Sequence, residues 1–204
     1  RDGRWTQVEG VVHTVNSNGT ITLMGRSGPL MVWIGKTSPE SLNPYVDAKL
    51  RVRGVLSLSL QDAPLLLVPA PSFVEVEREA PGAPFSLPTR SASDLLASSA
   101  EAAPPHRVKL AGQITFSGKD WFFLQDPAGG VRVQPAAESA RQVGQVIEVV
   151  GFPRTSGAMP TLTEALVRPA AGGSNVSPQK LDAGESISLK HAGALVQISA
   201  KLIA

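Results

Sequence analysis

The chain repeats itself. Gly28-Pro29-Leu30-Met31-Val32 aligns without a gap on Gly129-Gly130-Val131-Arg132-Val133, and Leu23 falls on Leu124 at the same offset. Further on, Tyr45 to Val55 aligns on Gln142 to Phe152, which places Gly54 on Gly151. Ahead of each match lies a stretch with one glycine, Gly10 and Gly112. An internal repeat decides the fold before any single motif does. The matched residues are core and turn types, so the repeat points to a shared β unit and to no shared chemistry.

The unit is read from period-two alternation and turn residues. In the first repeat, Trp5 to Val15, Thr20 to Met24, Leu30 to Ile34 and Ala48 to Leu60 read as strands. Leu65 to Val68 and Ser72 to Glu77 read as a fifth, broken by prolines and suited to a sheet edge. Asn18-Gly19 marks a hairpin with both turn residues at positive φ. Ser38 to Tyr45 holds two prolines and reads as a short turn or helix.

The second repeat takes the same course through Val108 to Phe116, Trp121 to Gln125, Val131 to Gln134, Gln145 to Phe152 and Thr161 to Arg168, with a short helix or loop at Ala136 to Arg141. Five strands, with a short element between the third and fourth, is the order of the OB-fold. The expected fold is all-β: tandem five-stranded OB-fold barrels joined by a short helical linker.

The expected boundaries are residues 1–80 for the first repeat, 81–105 for the linker and 106–170 for the second repeat. Residues 171–204 are read as a further linker and the first strand of a truncated third copy. In the linker, Ser91-Ala92-Ser93-Asp94 has the form of a capping box, with Asp in place of Glu or Gln, opening a helix to about Ala102. The competing reading of that stretch is a disordered linker. At the end of the chain, Ile198, Ala200 and Leu202 fall where Leu110, Gly112 and Ile114 fall. The competing reading there is a terminal strand that completes the second barrel. As a lone strand, Ala194 to Ile203 is expected to pair with a barrel edge or another copy, burying Val196, Ile198 and Leu202.

The wording of the second repeat carries a resemblance. Val108 to Gly112, Trp121 to Val133 with its FFLQD and paired glycines, and Val143 to Pro153 with VGQVIEVVGF resemble bacterial extracytoplasmic tandem OB-fold repeats. Such repeats are found ahead of the membrane span in some two-component sensor histidine kinases, and in secreted nucleases. The resemblance implies a non-catalytic interaction or sensory module, part of a larger membrane-anchored protein with an extracytoplasmic (periplasmic) location. Its second implication is a single-stranded nucleic-acid-binding module of a secreted nuclease. The partner is an unidentified ligand or protein, with nucleic acid as the second choice.

Nothing in the residues argues for an enzyme. There is no phosphate loop, no zinc-protease signature and no nucleophile elbow. His13, His106 and His191 are far apart, and each is expected to be solvated or locally bonded. Asp120 and Asp126 flank the second strand as turn residues. With no cysteine, thiolate metal sites and disulfides are excluded. No metal or cofactor is expected. The formal charge is +2. The first 80 residues carry eight basic and eight acidic side chains, and Arg107 to Ala170 carry seven and five. That balance is far from the basic footprint of a nucleic-acid-coating protein.

One surface has a rationale for binding. If Leu23, Leu30, Val32, Phe122, Leu124, Val131 and Val133 point inward, alternation turns Met31 and Trp33 outward in the first repeat, with Thr22 and Met24. In the second it turns out Trp121, Phe123, Gln125, Arg132 and Gln134. This second-and-third-strand face is where OB-folds take oligonucleotides and oligosaccharides. The competing use of the same residues is packing against the linker helix or the neighbouring repeat. Packing is the expectation here, because a unit this small is marginal alone.

Overall fold

The structure, a computed structural model, describes residues 5–58, 63–97, 106–138, 141–154, 159–170, 172, 176–181 and 191–199. The chain forms two compact units, Arg1–Gly82 with Ala102–His106, and Ala83–Glu101 with Arg107–Ala204.

The first unit contains β1 (Trp5–Val15), β2 (Thr20–Gly25), β3 (Gly28–Ile34), α1 (Pro39–Leu42), β4 (Lys49–Leu58), β5 (Pro64–Val68) and β6 (Val74–Arg78). The strands run in the order β1-β2-β3-β5-β4, and β4 returns to β1 to close the barrel. Only β3 and β5 pair in parallel. The prolines divide the fifth strand as expected. β5 pairs with Val55–Leu58 of β4, a 3-10 turn at Pro71–Phe73 intervenes, and β6 pairs with Lys49–Val52.

The second unit has α2 (Ala92–Ala97), β7 (Val108–Ser117), β8 (Phe122–Asp126), β9 (Gly129–Pro135), β10 (Val146–Arg154) and β11 (Thr161–Pro169). Its five strands close into a barrel with the same path, β9 and β11 again being parallel. The two barrels agree residue by residue. Gly10 opposes Leu50 as Gly112 opposes Ile147, and Thr6 opposes Gly54 as Val108 opposes Gly151. The first strand bulges at the same point in both, between Val12 and Thr14 and between Ile114 and Phe116.

The matched glycines stand where a side chain has no room. A Cβ on Gly10 would lie 2.5 Å from the Met24 carbonyl oxygen, and one on Gly112 would lie 2.4 Å from that of Gln125. At Gly54 and Gly151 the obstructing atoms are the carbonyl oxygens of Leu67 and Thr163, at 2.4 and 2.9 Å. Strands one and four therefore bend across their neighbours at backbone distance, which is what curls a sheet into a small barrel.

Alternation fills each interior. Val12, Ile21, Leu23, Val32, Ile34, Leu50, Val52, Leu66 and Val68 form the first core, with Leu42 of α1 fully buried among them. Leu110, Ile114, Phe122, Leu124, Val131, Val133, Ile147, Val149 and Leu162 form the second, together with Ala92 and Leu95 of α2. The capping box is formed: Asp94 accepts the Ser91 amide at 3.0 Å, and Ser91 Oγ accepts the Asp94 amide at 3.3 Å. The described helix is Ala92–Ala97, and the expected continuation to Ala102 falls on residues that lie outside the described set.

Charges decorate the outer faces. In the first barrel, Arg51 bonds Glu9 at 3.1 Å and Glu75 at 3.4 Å and also reaches Glu77, while Lys49 holds Glu77 at 2.7 Å. In the second, Glu148 takes Arg168 at 2.5 Å and Lys109 at 3.8 Å. The Lys49 hydrogen bond, reinforced by the Arg51 charge, holds the Glu77 carboxyl below its ordinary range.

Two expectations are corrected. Asn18-Gly19 does not form a two-residue turn with both residues at positive φ. Only Gly19 is left-handed, at 78°, and the Gly19 amide bonds the Asn16 carbonyl at 3.0 Å. That is a tight turn followed by a left-handed glycine, with the Asn18 side chain accepting the Thr20 amide and hydroxyl. Ala136 and Ala137 form a bend, in keeping with the loop alternative for Ala136 to Arg141, of which residues 139–140 lie outside the described set. The late strand, β13 (Val196–Ile198), pairs with β12 (Gln179–Leu181) in parallel rather than with a barrel edge. Ile198 is 56% exposed and Val196 half-buried, while Leu202 lies outside the described residues. The closed barrel has no free edge to offer it.

Gly10→Ala and Gly112→Ala are each expected to lose about 1–3 kcal/mol in urea unfolding, since backbone must move to admit the methyl. Gly82→Ala, with nothing within 4 Å of the new Cβ, is the neutral control. Glu77 adds stability that is present at neutral pH and is lost as pH falls below 4.5, its ordinary value, toward its lowered one. Lys49→Met should shrink that acid-side loss, read as the difference in melting temperature between neutral and acid pH.

Candidate functional site

The outer face of β8 and β9 is split in two. Phe122, Leu124, Val131 and Val133 point into the core as alternation requires. At the turn end of the face, the late segment lies on the barrel. Gln125 is 7% exposed, and its Oε1 accepts the Leu195 amide at 2.7 Å. Beside it, a Cβ on Gly130 would lie 2.0 Å from the Gly193 carbonyl oxygen, so only glycine lets the two backbones meet. Asp126 is a turn residue, accepting the amides of Ala128 and Gly129 at 2.8 and 2.9 Å, and it also accepts the Ala92 amide of α2 at 2.7 Å. Gln125 is therefore not available to a ligand.

The other end is open and aromatic. Phe116 stacks on Trp121 with ring centroids 5.2 Å apart and planes 28° apart. Phe123 meets the Trp121 ring edge-on at 5.0 Å and lies 6.1 Å from Phe116. The Arg132 guanidinium carbon sits 4.6 Å over the Trp121 ring, within cation–π range. Among the described residues Arg132 has no ion pair, and its Nε is buried without a hydrogen-bond partner. Phe116 is 49% exposed. With one ring face on Trp121, it presents the other outward. Trp121, Phe123, Arg132 and Gln134 are half-buried. Beside the rings, the β7–β8 turn carries Lys119, whose carbonyl accepts a 2.9 Å bond from Arg141.

The structure thus brings together Trp121, Phe123 and Arg132, and adds Phe116. Strict alternation from Val108 turns Phe116 inward. The bulge at Thr115 reverses it and sets Phe116 opposite Phe123. The signal lay in the other repeat, where the matching residue is Thr14. That position is polar, outward and bonded to the Thr22 hydroxyl at 2.9 Å.

In the first barrel Trp33 is 43% exposed and Met31 half-buried on the same side of β3. Trp33 makes no ring or cation contact among the described residues. Those residues also include no cluster of three or more His, Cys, Asp or Glu able to hold a metal. His106 Nδ1 lies 2.9 Å from Asp47 Oδ1, a contact across 59 residues, and His13 and His191 are buried, so the histidines depart from the solvated or locally bonded state expected of them.

Fold and face together define a tandem of OB-like barrels with an aromatic, cationic ledge on the second. No family model matches the chain, and no curated protein matches it. Solved structures similar to it include one described as structural mimicry for functional antagonism, at 10% identity and a TM-score of 0.34, covering 80% of this chain and 92% of that one. Tetrameric p202 HIN2 has 10% identity and a TM-score of 0.31, covering 83% and 93%. The Ifi202 HINa domain in complex with 20bp dsDNA has 10% identity and a TM-score of 0.34, covering 82% and 96%. Likeness at this level carries no argument about what this chain binds.

Gln125→Ala removes the acceptor for a half-buried amide and is expected to cost about 1–2 kcal/mol. Hydrogen exchange at Leu195 should quicken in the variant, while exchange in β1–β6 stays unchanged.

Proposed function

We propose that this chain is a non-catalytic binding module whose second barrel stacks the bases of single-stranded nucleic acid. The observation that carries the reading is the Phe116, Trp121, Phe123 and Arg132 ledge. The barrel core is complete without these rings, yet they gather at its surface around a cation with no ionic partner among the described residues. Aromatic faces suit any base, and Arg132 with Lys119 and Arg141 suits the backbone phosphates. The sequence favoured packing as the role of this face. The described part of the late segment packs on the Gln125 end, while Phe116 at the aromatic end stays 49% exposed.

The wider setting, an extracytoplasmic bacterial protein such as a sensor histidine kinase or secreted nuclease, is supported by the resemblance of the repeats alone. The ledge favours the nucleic-acid alternative over the sensory one.

The test is a titration with a short oligothymidylate, followed by tryptophan emission. Binding should quench Trp121 and leave a Trp121→Phe variant silent, although Trp5 and Trp33 remain. Phe116→Ala should weaken binding by about 5- to 150-fold, the equivalent of roughly 1–3 kcal/mol per stacked base. Three cations predict a shallow log–log salt slope of about −2. No quenching at about 100 µM strand, or equal affinity of wild type and Phe116→Ala, sinks the reading.

A further inference from the structure

The two barrels differ at one end. In the second, α2 lies across the end marked by the β8–β9 turn. Leu95 is fully buried there, in one cluster with Leu110, Leu124, Val131 and Leu162. The Ala92 amide is fixed by Asp126, and Ala92 sits 3.8 Å from where a Cβ on Gly129 would stand. The matching residues of the first barrel are Val8, Leu23, Leu30 and Leu66. Leu23 and Leu66 are buried, but Val8 and Leu30 are half-exposed, whereas Leu110 and Val131 are 2% and 0% exposed. No described helix of the first unit covers them. A cavity of about 840 Å³ opens there, floored by Val8, Leu23, Leu30 and Leu56. Its size falls within the roughly 300–1,000 Å³ of ligand sites.

The rim differs in charge as well as cover. Arg26 and Arg78 line the cavity, and neither makes an ion pair among the described residues. Lys49 and Glu9 also line it, Lys49 with its charge taken by Glu77 and Glu9, and Glu9 with its own taken by Lys49 and Arg51. Where Asp126 receives the positive start of α2, the first barrel has Gly25. This end therefore repels a helix N-terminus and attracts acidic side chains or a helix C-terminus.

We propose that this cavity is a docking site for a short acidic helix with adjacent leucines, supplied by a partner protein. Its leucines cover Val8 and Leu30 as Leu95 covers the matching residues of the second barrel. Its carboxylates meet Arg26 and Arg78. The site lies in the other barrel from the aromatic ledge, so it stands or falls independently of nucleic-acid binding.

The probe is a fluorescein-labelled peptide patterned on Ser91–Ala97, with glutamates in place of the serines, titrated with the full chain by anisotropy. Saturation below about 1 mM is expected. Binding should vanish when the two leucines become serines. It should fall about fivefold for Arg26→Ala with Arg78→Ala, and stay unchanged for Phe116→Ala. Methyl shifts on titration should fall on Val8 and Leu30. No binding to about 1 mM, equal binding of a lysine-for-glutamate peptide, or shifts confined to the second barrel would overturn the proposal. So would binding of dodecanoate without binding of the peptide, which would make the cavity a small amphiphile's site.

Discussion

Each barrel closes because a carbonyl oxygen of a neighbouring strand occupies the space that a side chain would take. The first strand meets the second at Gly10 and Gly112, and the fourth meets the fifth at Gly54 and Gly151. Remove that freedom and the sheet opens, β1 and β4 no longer meet, and the interior leucines and valines lose their enclosure. The aromatic ledge depends on the same bend. The bulge that follows Gly112 by three residues turns Phe116 from the core to the surface. One backbone requirement thus sets both the shape of the barrel and the residue that makes its face sticky.

Much of this was legible from the repeat. The strand positions, the split fifth strand, the capping box at Ser91 and Asp94, and the inward set of Phe122, Leu124, Val131 and Val133 all follow from alternation and turn chemistry. What escaped was non-local. Gln125 is outward by alternation, but a segment some seventy residues later covers it, and no local pattern encodes that contact. Phe116 escaped because a bulge breaks the period of two, and only comparison with Thr14 reveals it. Asn18 escaped because Asn-Gly suits more than one turn, and the side chain of Asn18 chose the one that bonds Thr20. β13 escaped because its pairing partner, β12, is three residues long and carries no signal of its own.

The face of the second barrel shows how one surface divides between folding and function. Its turn end is spent on the late segment, through a glycine pair and one glutamine. Its far end keeps three rings and an arginine that the core does not need. Among the described residues the first barrel makes the opposite use of the same plan, with Trp33 apart from other rings on that face and no helix over its end.

Two barrels of one strand plan in the same chain carry a hazard: during folding, a strand can pair with its counterpart's neighbours. The backbone would permit the exchange, since Gly10 and Gly112 stand in the same register. The outer charges oppose it. Strand four of the first barrel presents Arg51 between Glu9 and Glu75, whereas strand four of the second presents Glu148 opposite Ala111 and Arg168. The polarity is inverted. Exchanged pairing would set Glu9 against Glu148 and Arg51 against Arg168, like charges facing across a ladder. A surface ion-pair pattern that adds little to the finished fold thereby acts as an address, directing each strand to its own barrel.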